Sequence, residues 1–402
     1  MSKSITDKYN QTISLPTYFN TTSDSYKVNY DDFIGDIGIT LTNNADTITF
    51  GVISVRDTLA ATNQYTPSAS DEQKDRYFIL PENITYSVTE NTGTTGKVGI
   101  MYVQGGNNSI IDYQNTYSGF DVQAGAILDI SNIQFRNAIS NSKGGIINNS
   151  GIVGATTISG INNSSFVNNS AIMGGAIYNI GTIYSIANTN FTENIVTSSR
   201  ESTYGGAIYN TGTIGRIENV TFTQNKAVSS QYAYGGAIYN TGNIEYISAS
   251  FIGNYTVGTN VFGGAIYSSN NLKLIANNQD FMFKDNYTQS TSTGSIEDNA
   301  IYMSSYQSIL TIEANNGGSW TLYDSINGAR GYTVTLLSTE GRGTINLYNQ
   351  IYNANVVTNN INLNLSGDNS FTTYTFNSLS STLTNLSIDL SYAEKKSDII
   401  KV

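Results

Sequence analysis

Five tyrosines, Tyr178, Tyr209, Tyr239, Tyr267 and Tyr302, hold the same place after an isoleucine in a recurring pattern. In a strand, alternation that turns the isoleucine inward turns the tyrosine outward. Repeated, this gives an aromatic ladder along one face, chemistry suited to sugar rings or to a partner protein. Stacked rings also stabilise a repeat by themselves, by about 0.5–1.5 kcal/mol per pair beyond burial. Tyr204 and Tyr234 close two polar stretches next to this column and complete the candidate ligand-binding surface.

Few other residues could do chemistry. The 402-residue chain has no histidine and no cysteine. That removes Ser–His triads, thiol catalysis and zinc held by imidazole or thiolate. The acidic residues of the central region are Glu193, Glu201, Glu218, Glu245, Asp280 and Asp285. They form no repeat-to-repeat cluster of three such as glycan cleavage or calcium binding needs. Arg216 and Glu218 sit two apart on one strand and read as an exposed ion pair of little energetic value. No catalytic residue, cofactor or metal ligand is expected. The net charge of −11 argues against nucleic acid or an anionic membrane as partner.

The elements that position the tyrosines follow from a repeat. Gly-Gly-Ala-Ile-Tyr starts at Gly174, Gly205, Gly235 and Gly263, a weaker Gly-Gly-Ile-Ile starts at Gly144, and the intervals are 30, 31, 30 and 28 residues. A degenerate copy, DNAIYM, starts at Asp298. Phe-x-x-Asn follows the copies at Phe166, Phe191, Phe222, Phe251 and Phe283. A fixed period of this length marks a solenoid. Each repeat holds three short segments rich in Ile, Val, Thr, Tyr and Phe, in the Gly205 copy GAIY, TIGRIE and VTFT, with no helical apolar stripe. Asn-x-Gly punctuates them, at Asn149, Asn179, Asn210 and Asn240, as residues that tolerate the positive φ of sharp bends. Three strands per turn describe an all-β fold, a single parallel β-helix, here of roughly 11–13 coils stacked at about 4.8 Å. Ile208, Ile214, Ile217 and Phe222 point inward in one coil, and Ile177, Ile183, Ile186 and Phe191 in the coil before it. The Phe-x-x-Asn asparagines, Asn169 to Asn286, form an inward hydrogen-bonded ladder.

Along the chain, residues 1–76 read as an N-terminal cap with first strands, and Ala60–Arg76 as an exposed polar loop. Residues 77–290 form the repeat β-helix, whose first two coils lie in Tyr86–Phe135. Residues 291–402 continue it with plainer coils, and the chain stops in strand-like sequence, KSDIIKV, as though cut from a longer protein. The polar stretches near Ser198–Tyr204 and Ser229–Tyr234 read as a row of loops on one edge, a usual place for binding variability. No apolar leader and no run long enough to span a membrane as a helix is visible. Open ends of such a helix could stack on another copy.

The alternation of GGA-I with F-x-x-N over residues 140–290 resembles the repeats of chlamydial polymorphic outer-membrane proteins and related autotransporter adhesins. SGFDVQAGAILDISNIQF (Ser118–Phe135) is similar to the start of such a passenger array. DSINGARGYTVTL (Asp324–Leu336) and GTINLYNQIYNANV (Gly343–Val356) are similar to the coils after it. The resemblance implies a right-handed β-helix and a secreted passenger displayed at the cell surface. It also implies a C-terminal outer-membrane barrel, absent from this chain, and a role in adhesion to a host or bacterial surface protein or glycan. Two other readings stand beside it: a structural spacer or filament subunit without a ligand, and a glycan-cleaving β-helix or phage tailspike.

Overall fold

Ile-Tyr-Asn in each repeat is a strand, and every such strand pairs in parallel with its counterpart one repeat away. Ile147, Ile177, Ile208, Ile238, Ile266 and Ile301 are successive register partners. The computed structural model describes residues 58–65, 75–155 and 160–365 in full, together with the backbone of short strands outside those limits. The full description holds about nine turns of a parallel β-solenoid. The expectation of 11–13 coils covers the whole chain, and parts of both flanks fall outside the described residues. Among the described residues no helix is long and apolar enough to cross a membrane.

One turn can be followed from Gly205. The first face is the strand Ile208–Asn210. The second is Thr213–Thr223, a single strand in which Asn219 adopts φ 52° and register shifts between Glu218 and Val220. The segments TIGRIE and VTFT are thus one bulged strand rather than two. The third face is Lys226–Ser229, and a short fourth strand, Tyr232–Tyr234, leads into the next Gly-Gly. The polar stretches expected as loops are therefore part strand and part loop. Ser229, Ala233 and Thr203 are buried, and only 199–202 and 230–231 turn outward between paired segments. Their polarity misled because alternate residues face solvent while Val196, Ala227 and Ala233 fill the inside.

The core is built in columns. Ile177, Ile208 and Ile238 line the first face, Ile183, Ile214 and Ile217 the second, all with no solvent exposure. Phe166, Phe191, Phe222, Phe251 and Phe283 stack ring on ring at 4.7–4.9 Å and within 9° of parallel. Trp320 continues the stack 5.8 Å beyond Phe283. The inward residues expected in both coils are all in place. So is the asparagine ladder: Asn169, Asn194, Asn225, Asn254 and Asn286 are buried, and each amide nitrogen donates to the next amide oxygen at 2.9–3.0 Å. The ladder ends on Asp324, whose Oδ2 accepts from the backbone and the side chain of Asn286.

Asn-x-Gly works differently from expectation. Its asparagines are a second buried ladder, Asn149 to Asn179 to Asn210 to Asn240, at 2.7–2.8 Å. Neither member of the motif adopts a positive φ. The glycine is required by close approach: a Cβ on Gly212 would lie 2.2 Å from the carbonyl oxygen of Gly181 in the preceding turn. Left-handed backbone is instead used by the first glycine of Gly-Gly, as at Gly205 with φ +62°, and by the residue before each Phe-x-x-Asn asparagine.

At the N-terminal end, the stretch expected as loop begins with a helix, Leu59–Gln64, whose N-cap Thr58 accepts from the Ala61 amide at 3.0 Å. Leu59 and Ala60 are buried, and Asn63 donates to the Gly93 carbonyl at 2.9 Å, fastening the helix to the first turn. It is too short to show a helical period in sequence. After Asn286 the solenoid narrows. The third face ends where Tyr287–Ser290 pairs antiparallel with the start of Ile296–Met303. Leu310 pairs with Val334 and Val334 with Val356, so a turn now takes 24 and then 22 residues.

Candidate functional site

The tyrosine column lies on the outside of the first face, where strand alternation places it. Tyr178, Tyr209, Tyr239 and Tyr267 stack at 4.7–5.1 Å and within 16° of parallel, and Tyr302 follows at 6.0 Å. The fourth strand carries a parallel, shorter stack: Tyr204, Tyr234 and Phe262, each 5.2 Å from the next. The two stacks interlock edge to face. Tyr204 meets Tyr239 at 4.9 Å and 70°, Tyr234 meets Tyr267 at 5.0 Å and 69°, and Phe262 meets Tyr302 at 4.8 Å and 63°. All seven tyrosines expected on this surface thus belong to one herringbone.

Three features of it were not foreseen. Phe262 is a member, and the signal was present: it precedes Gly263 as Tyr204 precedes Gly205 and Tyr234 precedes Gly235. Tyr178, expected on the surface, is only 6% exposed. Lys143 covers it, with Nζ 4.5 Å from the ring centre and 3.0 Å from the hydroxyl. Most important, the ring faces are consumed between turns. The rims and hydroxyls of half-buried Tyr209, Tyr239, Tyr267 and Tyr234 are what remains for a partner. A sugar stacked flat on a ring has no free face there, whereas a protein surface can hydrogen-bond and pack along the rims. Burial and the neighbouring tyrosines push the Tyr234 hydroxyl up to about 12, and raise Tyr209 and Tyr239 as well, so these hydroxyls stay neutral donors at any physiological pH.

On the second face, Arg216 and Glu218 pair at 3.4 Å with both side chains about half exposed. They do not approach the herringbone. The buried carboxylates are elsewhere. Asp129 accepts from the Gly160 amide at 2.8 Å and Asp324 ends the asparagine ladder; burial raises both to about 6. Glu313 is the opposite case: burial alone would raise it, but hydrogen bonds from Lys273, Thr339 and Asn315 hold it below the usual carboxylate range. Lys273 and Thr339 belong to neighbouring turns, so this cluster ties three turns together.

Residues 219–241 match the family model of the Chlamydia polymorphic membrane protein (Chlamydia_PMP) repeat. The match spans the Phe222–Asn225 corner, the third face and the following Gly-Gly-Ala-Ile-Tyr-Asn-Thr. No curated protein and no solved structure matches the chain.

Proposed function

We propose that this chain is the passenger of a surface-displayed, outer-membrane-anchored protein, and that it acts in adhesion through the herringbone face. The observation that carries the proposal is that face: eight aromatic rings, locked by stacking across successive turns, present a rigid strip of rims and hydroxyls. Rigid aromatic side chains lose little freedom on binding and dominate protein contacts. The Chlamydia-type repeat supports a place at the bacterial surface, and the anchor would be a C-terminal barrel outside this sequence. The partner that fits is a protein on a host or bacterial cell.

The test is binding of the purified chain to cells, with Tyr209, Tyr239 and Tyr234 all changed to Phe. This variant keeps the stacks and removes only hydroxyls. The proposal expects wild-type chain to bind and the variant to lose most of that binding while melting like wild type. Equal binding by the variant would remove this face from recognition. The stacking itself favours a second reading, a spacer that holds another region away from the membrane. A wild-type chain that binds no cell would move that reading ahead.

A further inference from the structure

A groove runs along the solenoid at the Phe-x-x-Asn corner, well apart from the tyrosine column. Its floor is the column of residues before each ladder asparagine: Glu193, Gln224, Gly253 and Asp285, all with φ between 53° and 64°. One wall is Thr223 and Ile252 from the second face; the other is Ile195, Lys226, Tyr255 and Tyr287, register partners on the third face. The groove is open to solvent along one side and has a volume of about 610 Å³. Left-handed backbone turns these floor side chains outward, so a residue without one leaves a pit. Gly253 is that residue. A Cβ placed on it would meet only the Gln224 Cγ, at 3.4 Å, so unlike Gly212 it has room for a side chain.

The groove's chemistry narrows the ligand. An extended peptide could not add there as a strand, because the floor amides are already spent. Glu193 donates to Thr223, Gln224 to Ile252 and Gly253 to Lys284 of the neighbouring turns. Recognition must come from side chains. Among the described residues the side chains of Glu193 and Asp285 carry no hydrogen bond or ion pair within the protein, so both carboxylates are free to accept from hydroxyl groups. Lys226 lies 5.9 Å from the Tyr255 ring centre, and Tyr255 stacks on Tyr287 at 4.9 Å, which leaves ring rims, hydroxyls and an ammonium facing the groove. Ile195 and Ile252 offer apolar patches for C–H surfaces. The same positions recur once per turn, about 4.8 Å apart, a spacing close to that of successive sugars in an extended pyranose chain, though the side chains at them differ from turn to turn. Two carboxylates against one ammonium, on a chain of net charge −11, disfavour an acidic polymer.

We propose that this groove, opened by Gly253, binds an extended, uncharged oligosaccharide along the solenoid axis. The site is independent of the herringbone face and of any cell-surface partner. The experiment uses the full chain and soluble sugars without cells: cellotetraose and chitotetraose as neutral probes, tetragalacturonate as an acidic one, followed by calorimetry. The informative variant is Gly253→Asn, since asparagine already occupies the same left-handed position at Asn168 and would fill the pit without disturbing the turn. Glu193→Gln is the second variant. The expected result is saturable binding of a neutral probe, at least tenfold weaker in Gly253→Asn, weaker in Glu193→Gln, and with melting unchanged in both. Failure of both neutral probes, equal or tighter binding of tetragalacturonate, or wild-type affinity in a folded Gly253→Asn chain would each overturn the proposal.

Discussion

Asparagine does work in this chain that apolar residues cannot. Asn225 accepts from the backbone and the side chain of Asn194 and donates to Asn254 and to the Phe191 carbonyl, all within a fully buried corner. Replacing it with alanine leaves at least two buried donors or acceptors without a partner, each worth about 1–3 kcal/mol. We expect Asn225→Ala to lower stability by about 3 kcal/mol or more in urea denaturation, whereas Arg216→Ala at the exposed ion pair should change it by no more than about 0.5 kcal/mol. The ladder's last member makes a pH prediction. Asp324 is buried and its folded-state value is raised to about 6, against 3.8 as the ordinary value. Between those values the folded chain keeps a proton that the unfolded chain gives up, so stability falls as pH rises through this window. Asp129 acts in the same direction over the same window. Glu313, held below its usual range, acts oppositely and only at lower pH, where its protonation removes stability. The denaturation midpoint should therefore rise from pH 7 to about pH 5. Asp324→Asn should stabilise the chain at pH 7 by roughly 2–3 kcal/mol and flatten that rise. A midpoint equal at both pH values in wild type would contradict the assignment.

At the scale of strands and corners, glycine marks two separate constraints. Gly212 faces a carbonyl oxygen of the turn before it, and Gly253 faces almost nothing. Gly212→Ala has no small adjustment open to it, because the obstacle is backbone held by the interstrand ladder; it should force adjacent turns apart and raise amide hydrogen exchange around Gly181 and Gly212. Gly253→Ala should cost only the roughly 1 kcal/mol of a left-handed alanine and leave exchange unchanged. Similar exchange profiles for the two variants would refute the distinction. The strands themselves were legible because Ile208 and Tyr209, or Phe191 and Phe222, recur at the repeat and alternate in polarity. The corners were not. A glycine needed for close approach and a glycine needed for φ look alike in sequence, and an asparagine that bends the chain looks like one that stands in a buried ladder. The third face was missed for a related reason: Lys226–Ser229 alternates too briefly, and in residues too polar, to separate it from a loop. The herringbone was half visible, since the tyrosine column is periodic whereas its interlock with Phe262 exists only once the fourth strand brings the two stacks side by side.

For the whole molecule, the register of every column implies that a turn is a removable unit. Deleting residues 205–234 joins Tyr204 to Gly235, so the chain re-enters the same motif at the same point. Ile238 then takes the place of Ile208 beneath Ile177, Phe251 replaces Phe222 beneath Phe191, and Asn240 and Asn254 replace Asn210 and Asn225 in the two ladders. No buried polar group loses its partner and no apolar column is interrupted, so nearest-neighbour contacts alone decide the outcome. The shortened chain should fold with the same circular dichroism shape. Its denaturant slope should fall by about a tenth, since that slope follows the surface exposed on unfolding and one of about nine turns is gone. Deleting residues 205–219 instead would bring the strand starting at Val220 under the first face, set phenylalanine against isoleucine columns and break both ladders; that chain should not fold. An unfolded or aggregated product from the whole-turn deletion would show that stability resides in the ends and not in the stack. Each stack of the herringbone would lose one ring in the folded deletion, so its cell binding also reports whether recognition depends on the length of the aromatic strip or on one local patch of it.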